Sequence, residues 1–202
     1  MPALRLSDKP KPISLPHFES RIPKPEELVT LTQPLLDATI MIGKALTNCT
    51  NKWAIGGDVG EVISGVNVQP NHLAILTTRE GCDEITRKLA KYQIESPRTV
   101  ERELERDAKV DLKFYKVRIK SYTARFDIQG SQLGVHGDLQ IKVGDWEWGD
   151  PLDFEPDYVY VVGVKVPTVP LKVKSELYTG LGWMDRASKI HEAVMRSRHM
   201  FG

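Results

Sequence analysis

The chain has 202 residues with an ordinary apolar share, and 28 basic residues balance 27 acidic ones. This length and composition allow one globular domain with a real core. The balanced charge excludes a strongly basic, dedicated nucleic-acid binder but leaves room for a local basic patch. No apolar run reaches the length of a membrane span, and no apolar segment marks a signal peptide. With Cys49 and Cys82 as its only cysteines, the chain is expected to be a cytoplasmic protein with reduced thiols and no membrane contact.

The amino-terminal segment, residues 1–27, contains prolines at positions 2, 10, 12, 16, 23 and 25. Proline removes backbone donors and opposes helix formation, so this segment is predicted to be an extended arm. The apolar stretch Ile13–Phe18 could attach the arm to the body of the protein or to a second subunit. Homo-oligomerisation through the arm is therefore one candidate role, and a loosely ordered tail is the alternative.

The first half of the chain after the arm alternates helices and strands. Apolar residues at helical spacing predict helices, and short apolar runs that end at glycine or proline predict strands. Asp58 is expected to cap the helix that follows the glycine pair. The predicted elements are a helix over Pro34–Leu46, a strand over Trp53–Ile55 ended by Gly56 and Gly57, a short helix, a turn at Pro70 and Asn71, a strand over Leu73–Thr78 and a helix over Arg79–Tyr92.

The second half is rich in strand patterns and ends in helix. The densely charged run Arg98–Lys109 is interpreted as a solvated strand or loop rather than a binding run. The predicted strands are Leu112–Lys120, Ala124–Ile128, Gln132–Val143 and Tyr158–Val166, and a helical region follows over Leu171–Met200. This order predicts an α+β fold with helices on a mixed sheet. We expect a core over residues 28–168 and a C-terminal helical region over residues 169–202.

Four short motifs follow one another along residues 28–190. They are the strand and Gly56-Gly57 turn, the strand "PNHLAIL" over Pro70–Leu76, the strand segment Phe126–Lys142 and the helical finish Val169–Ile190. In this order the motifs resemble the nucleotidyltransferase superfamily, and particularly its minimal members. The resemblance implies a nucleotidyltransferase-like α+β fold, a mixed sheet flanked by helices with a C-terminal helical segment.

Members of that superfamily carry an Asp-apolar-Asp pair on the strand after the glycine turn and a third acid on a later strand. Carboxylates two residues apart on a strand share a face, so the three acids can hold two Mg²⁺ ions at the triphosphate. Here the corresponding positions are His72, Ala74 and Gly134. Alanine and glycine offer no ligand, and histidine suits Mg²⁺ poorly. The resemblance therefore implies a catalytically degenerate member with no certain cofactor.

The glycine turn remains a candidate nucleotide-binding site. Glycine allows backbone N–H groups to approach a phosphate at a helix start, so Gly56, Gly57 and Asp58 are the expected nucleotide-binding residues. The expected role is binding of a nucleotide, a nucleic-acid end or a protein partner.

Three alternatives stay open from the sequence. An active Mg²⁺-dependent nucleotidyltransferase could use relocated acids such as Asp58, Glu61 or Asp138. A structural or oligomerisation module is the second alternative. In the third, His72, His136 and Asp138 form a site for Zn²⁺ or another transition metal, because residues 132, 134, 136 and 138 share a face of an unbroken strand. Polar residues at a strand end explain the same pattern without a metal.

Overall fold

The structure is a computed structural model that describes residues 30–200, with side chains described for residues 30–196. The Pro-rich arm predicted over residues 1–27 lies outside the described residues. The described helices are α1 (Gln33–Ala45), α2 (Gly57–Ile63), α3 (Arg79–Lys88), α4 (Leu171–Gly180) and α5 (Met184–Met200). The described strands are β1 (Trp53–Gly56), β2 (Leu73–Thr77), β3 (Gln93–Glu103), β4 (Ala108–Val110), β5 (Lys113–Tyr115), β6 (Val117–Ile128), β7 (Ser131–Val143), β8 (Asp157–Val161) and β9 (Val164–Thr168).

Seven of these strands form one mixed sheet in the order β3-β6-β7-β2-β1-β9-β8. The strand β2 is antiparallel to β1 and parallel to β7, and β1 is parallel to β9. The remaining two strands, β4 and β5, form a separate hairpin. The α+β class and the mixed sheet flanked by helices are thus confirmed.

The main core lies between one face of the sheet and helices α1 and α3. The residues that the strand pattern assigns to the core are buried, and none is more than 7 % exposed: Trp53, Ile55, Leu73, Ile75 and Val135. Ile42 of α1 and Ile85 of α3 pack in the same cluster. Because side chains alternate along a strand, Ala74 and Gly134 belong to the opposite face, where the candidate site lies.

The chain folds differently from the sequence prediction at several local points. Gly56 is the N-cap residue of α2, and Asp58 lies inside the helix, so the prediction that Asp58 caps it was wrong. Residues Tyr158–Val166 form a hairpin rather than one strand, because Val162 and Gly163 both take positive φ, of 47° and 78°. Thr78 is the N-cap of α3, and its side chain accepts a hydrogen bond from the Gly81 amide at 3.1 Å.

The charged run begins within an edge strand. Residues 98–103 belong to β3, which pairs with β6 at the edge of the described sheet and is mostly exposed. The interpretation as a solvated strand therefore holds for this part of the run. Within the described residues, no helix has the length and apolar character needed to cross a membrane.

Candidate functional site

The positions that the resemblance aligns with the three acids converge on one face of the sheet. Ala74 on β2 lies opposite Gly134 on β7, and His72 precedes Ala74 by two residues. An ideal Cβ on Gly57 would lie 3.6 Å from His72 Nε2 and 3.8 Å from the Ala74 Cβ. Because none of the three side chains carries an oxygen ligand, this position does not fit Mg²⁺.

The imidazole of His136 occupies the space beside Gly134. A Cβ built on Gly134 would approach His136 Nε2 to 2.8 Å, so a larger side chain at position 134 requires the ring to move. The other ring nitrogen, Nδ1, lies 3.2 Å from the hydroxyls of both Ser121 and Thr123, which are themselves 2.8 Å apart. These contacts hold the ring with Nε2 towards the space above Gly134.

The environment of His136 favours its neutral form. Burial is the main cause, and the positive charges of Arg102, His72 and Arg125 add to it, so the pKa of His136 falls from 6.5 to about 4. At neutral pH the imidazole is therefore uncharged. A neutral imidazole can donate one hydrogen bond and accept another.

A cleft of about 290 Å³ extends from His72 and His136 over β6 and β3. Three arginines and one glutamate line it: Arg98, Arg102, Arg125 and Glu95. The Glu95 carboxylate lies 3.6 Å from Arg98 and 3.4 Å from Arg125. Arg102 is exposed and has no ion-pair partner in the described part of the chain. The cleft therefore carries an excess of positive charge.

The glycine turn adjoins this cleft through His72. Gly57 has a φ of 56°, a left-handed conformation that favours glycine over residues with a Cβ. Its carbonyl oxygen accepts a hydrogen bond from Lys174 Nζ at 3.0 Å. Gly56 and Gly57, expected at the nucleotide, thus lie at the border between the cleft and the C-terminal helices.

The two acids of α2 are bound by side chains of α4 and α5. The buried Asp58 carboxylate accepts a hydrogen bond from Arg186. The Glu61 carboxylate, 0 % exposed, accepts from the Tyr178 hydroxyl at 2.6 Å. It also lies 3.2 Å from Arg186 and 3.8 Å from Lys174. We call these five side chains the buried ionic cluster.

Burial is the main cause of the pKa shifts of two members of this cluster, Lys174 and Tyr178. It lowers the pKa of Lys174 from 10.5 to about 8, although the Glu61 carboxylate opposes the shift. Burial and the same carboxylate raise the pKa of Tyr178 above its ordinary value. These shifts follow from taking charges out of water and pairing them, which is how buried charged groups are tolerated in proteins.

Asp138 belongs to β7, and its carboxylate contacts the start of α3. It has a φ of 50°, at an irregularity in the β6–β7 pairing, so the strand is not regular at this point. Its carboxylate accepts a hydrogen bond from the Arg79 backbone amide at 3.3 Å. The proposed set of His72, His136 and Asp138 is not brought together. Among the described residues no group of three His, Cys, Asp or Glu side chains is placed to hold a metal ion.

The sequence interpretation missed the arginines of the cleft. Arg98 and Arg102 were assigned to a solvated run, yet both line the cleft. The side of the cleft formed by β6 could have been identified from the sequence. Along this strand Ser121, Thr123 and Arg125 alternate with apolar or aromatic residues, which places the three on one face. The pairing of that strand with β3 depends on the tertiary fold and could not be deduced from the spacing.

No family model matches the chain, and no curated protein is significantly similar to it. A crystal structure of a presumed nucleotidyltransferase from Thermotoga maritima is similar, with a TM-score of 0.60 and 22 % identity. The alignment covers 82 % of this chain and 96 % of that one.

Two structures of ANT(2'')-Ia also match, each at 14 % identity. The complex with adenylyl-2''-tobramycin has a TM-score of 0.38 and covers 84 % of this chain and 99 % of its own. The solution structure of this antibiotic-resistance factor has a TM-score of 0.36, with 83 % and 93 % covered. TM-scores this low support no inference about this chain. With the Thermotoga structure and the sheet described above, the chain has a nucleotidyltransferase-like fold.

Proposed function

We propose that this protein binds a nucleotide or a phosphorylated nucleic-acid end in the cleft without a divalent metal, and that it does not transfer nucleotides. One observation carries the proposal. Ala74 and Gly134, paired neighbours in the sheet, offer no metal ligand, while the space beside them is lined by His72, His136 and Arg125. A position suited to cations in the superfamily has side chains suited to anions in this chain.

The glycine turn belongs to the proposed site, and Asp58 has a different role. Gly57 adjoins His72 and Ala74, and Gly56 pairs with Ala74 in the sheet, so a phosphate above Ala74 lies within reach of the turn. The Asp58 carboxylate would repel a phosphate, and it is already bound by Arg186. We therefore assign to Asp58 the stabilisation of α2 against α5, rather than direct contact with the ligand.

The alternative of an active transferase with relocated acids has little support from the contacts. Asp58 and Glu61 are bound in the buried ionic cluster, and the Asp138 carboxylate accepts the Arg79 amide. Recruiting any of them to a metal requires breaking these contacts. No specific contact favours a protein partner over a phosphorylated ligand in this cleft.

Calorimetric titration of ATP, ADP and AMP tests the proposal, each in excess Mg²⁺ and in EDTA. We expect binding in both conditions and no release of pyrophosphate from ATP. Arg125→Gln should weaken binding, whereas Arg118→Gln on the same strand should not, because Arg118 pairs with Glu101 outside the cleft. Binding that requires Mg²⁺, or pyrophosphate release abolished by Asp138→Asn, would contradict the proposal and support the active transferase.

A further inference from the structure

We propose that Arg125, Arg98 and Arg102 form a track for the backbone of a single-stranded nucleic acid whose end lies above Ala74 and Gly134. This inference rests on the proposed function and selects one ligand class from it. The first step is geometric. Arg98 and Arg102 both line the cleft from β3, and Arg125 lies opposite Glu95 on β6.

The track is longer than the phosphates of one nucleotide. Arg102 lies four positions after Arg98 on β3, and Glu95, opposite Arg125, lies three positions before Arg98. At a strand rise of 3.2–3.4 Å per residue, the three arginines cover roughly 20 Å. One phosphate beside Arg125 cannot also contact Arg102, whereas the successive phosphates of several nucleotides can contact both.

The position of β3 leaves the track open. Among the described strands β3 is an outer one of the sheet, so no described strand closes the cleft on that side. The cleft itself, at about 290 Å³, is at the lower limit of small-molecule sites. It suits one terminal nucleotide, with the rest of the strand lying along β3.

The two faces of β3 differ in their balance of charge. On the cleft face Arg98 and Arg102, together with Arg125 of β6, lie beside one carboxylate, that of Glu95. The acids Glu101 and Glu103, which do not line the cleft, pair with Arg118 and Lys116. A positive stripe therefore remains on the cleft face even though the whole chain is almost neutral. Such a stripe is the electrostatic feature that binds a phosphate backbone.

The described lining of the cleft offers no platform for stacking bases. Among the described lining residues Phe126 is the one aromatic carbocycle, and it is 0 % exposed. Base–aromatic stacking is the usual source of affinity in single-strand binders. Recognition here depends on backbone phosphates instead, so affinity should depend strongly on salt and length and little on base identity.

The experiment measures fluorescence anisotropy with labelled single strands of one, four and twelve nucleotides, as oligo-A and oligo-U, at 50 and 200 mM salt. We expect the twelve-mer to bind more tightly than the mononucleotide and similarly for both bases. Three phosphate contacts on a single strand predict a slope of log K against log salt of about −2, or about 20-fold weaker binding at the higher salt.

Variants locate the track. Arg102→Gln should weaken the twelve-mer about threefold to tenfold and reduce the salt slope by about 0.7, while leaving the mononucleotide unchanged. Arg125→Gln should weaken both ligands. Arg118→Gln is the matched control, since this arginine pairs with Glu101 outside the cleft, and it should change neither affinity.

Each other outcome decides against the track. Affinity independent of length, or an Arg102→Gln variant equal to the parent on the twelve-mer, overturns it while leaving nucleotide binding intact. A twelve-base-pair duplex that binds as tightly as the single strand overturns the single-stranded assignment. Absence of binding by every ligand at 50 mM salt overturns both this inference and the proposed function.

Discussion

The buried ionic cluster and the arginine cleft both adjoin the glycine turn, but their charges differ in how far they are satisfied. In the cluster, Asp58 and Glu61 each contact a cationic side chain from the C-terminal helices. In the cleft, three arginines lie beside one glutamate, and Arg102 is without an ion-pair partner among the described residues. Charges that satisfy one another hold elements together, whereas an exposed excess of one sign is available to a ligand.

The largest expected effect is the loss of a charge from the buried cluster. Glu61→Gln leaves Lys174 and Arg186 facing each other with only Asp58 to balance them, so unfolding free energy should fall by about 3–5 kcal/mol. Denaturant unfolding of parent and variant measures this difference in unfolding free energy. Glu101→Gln, which breaks the exposed pair with Arg118, should cost less than about 1 kcal/mol. Equal small losses in both variants would show that the buried cluster is not structural.

The second prediction concerns the partly buried imidazole of His136 in the cleft. The pKa of His136 is about 4 in the folded chain and 6.5 as the ordinary value, so between these pH values the unfolded state binds more protons. The contribution of neutral His136 to stability is therefore complete above pH 6.5 and is lost as pH falls towards 4. The shift corresponds to about 3 kcal/mol.

The measurement compares unfolding free energies from pH 7 to pH 4.5 in parent and His136→Gln proteins. The variant should lose less stability over this range, because glutamine does not titrate. His191 is an exposed histidine on α5, so His191→Gln is the control and should follow the parent. Parallel curves for parent and His136→Gln would contradict the assignment of a neutral imidazole at this position.

Restoring carboxylates tests the third expectation, that only the missing ligands separate this site from a metal site. His72→Asp, Ala74→Asp and Gly134→Glu place three acids on one face, and His136→Ser frees the space that its ring would otherwise take from position 134. Clustered carboxylates raise one another's pKa, so the metal-free variant should be less stable than the parent.

Mn²⁺ at ten to a hundred times its dissociation constant should then raise the variant's stability by about 1.4–2.7 kcal/mol. Thermal unfolding with and without Mn²⁺ measures this, and the parent should not respond. A parent stabilised equally would show that a native metal site exists. A folded variant with no response would show that the three positions do not converge in solution.

The fold was largely predictable because its signals are local or periodic. The strand around Ile55 and the apolar face of Leu73 and Ile75 could be assigned from short apolar runs between turns, and both are buried as expected. The hairpin at Val162 was missed because its central pair, Val162-Gly163, does not match the usual turn sequences, although both residues take positive φ. Local sequence does not contain the tertiary packing that stabilises such a turn.

The site was predictable only in part, for a physical reason. Positions 72, 74 and 134 could be named from the resemblance, and β2 and β7 do place Ala74 beside Gly134. The partners of Asp58 and Glu61 lie more than a hundred residues further along the chain, on α4 and α5. Which acids are bound, and which arginines remain exposed, depends on that long-range packing, so composition and spacing could not reveal it.

The smallest expected effect concerns Glu95, the single carboxylate among the cleft arginines. Its oxygens lie 3.6 Å from Arg98 and 3.4 Å from Arg125, so it competes with a ligand phosphate for the same guanidinium groups. All three side chains are substantially exposed, and exposed pairs are worth about 0.2–1 kcal/mol. Glu95→Gln should therefore strengthen ADP binding between about 1.5-fold and fivefold, as measured by calorimetry. Glu101→Gln, whose carboxylate faces Arg118, should leave ADP affinity unchanged. Weaker binding in Glu95→Gln would show instead that Glu95 orients Arg98 and Arg125 for the ligand. The contacts of Glu95 would then assist ligand binding rather than compete with it.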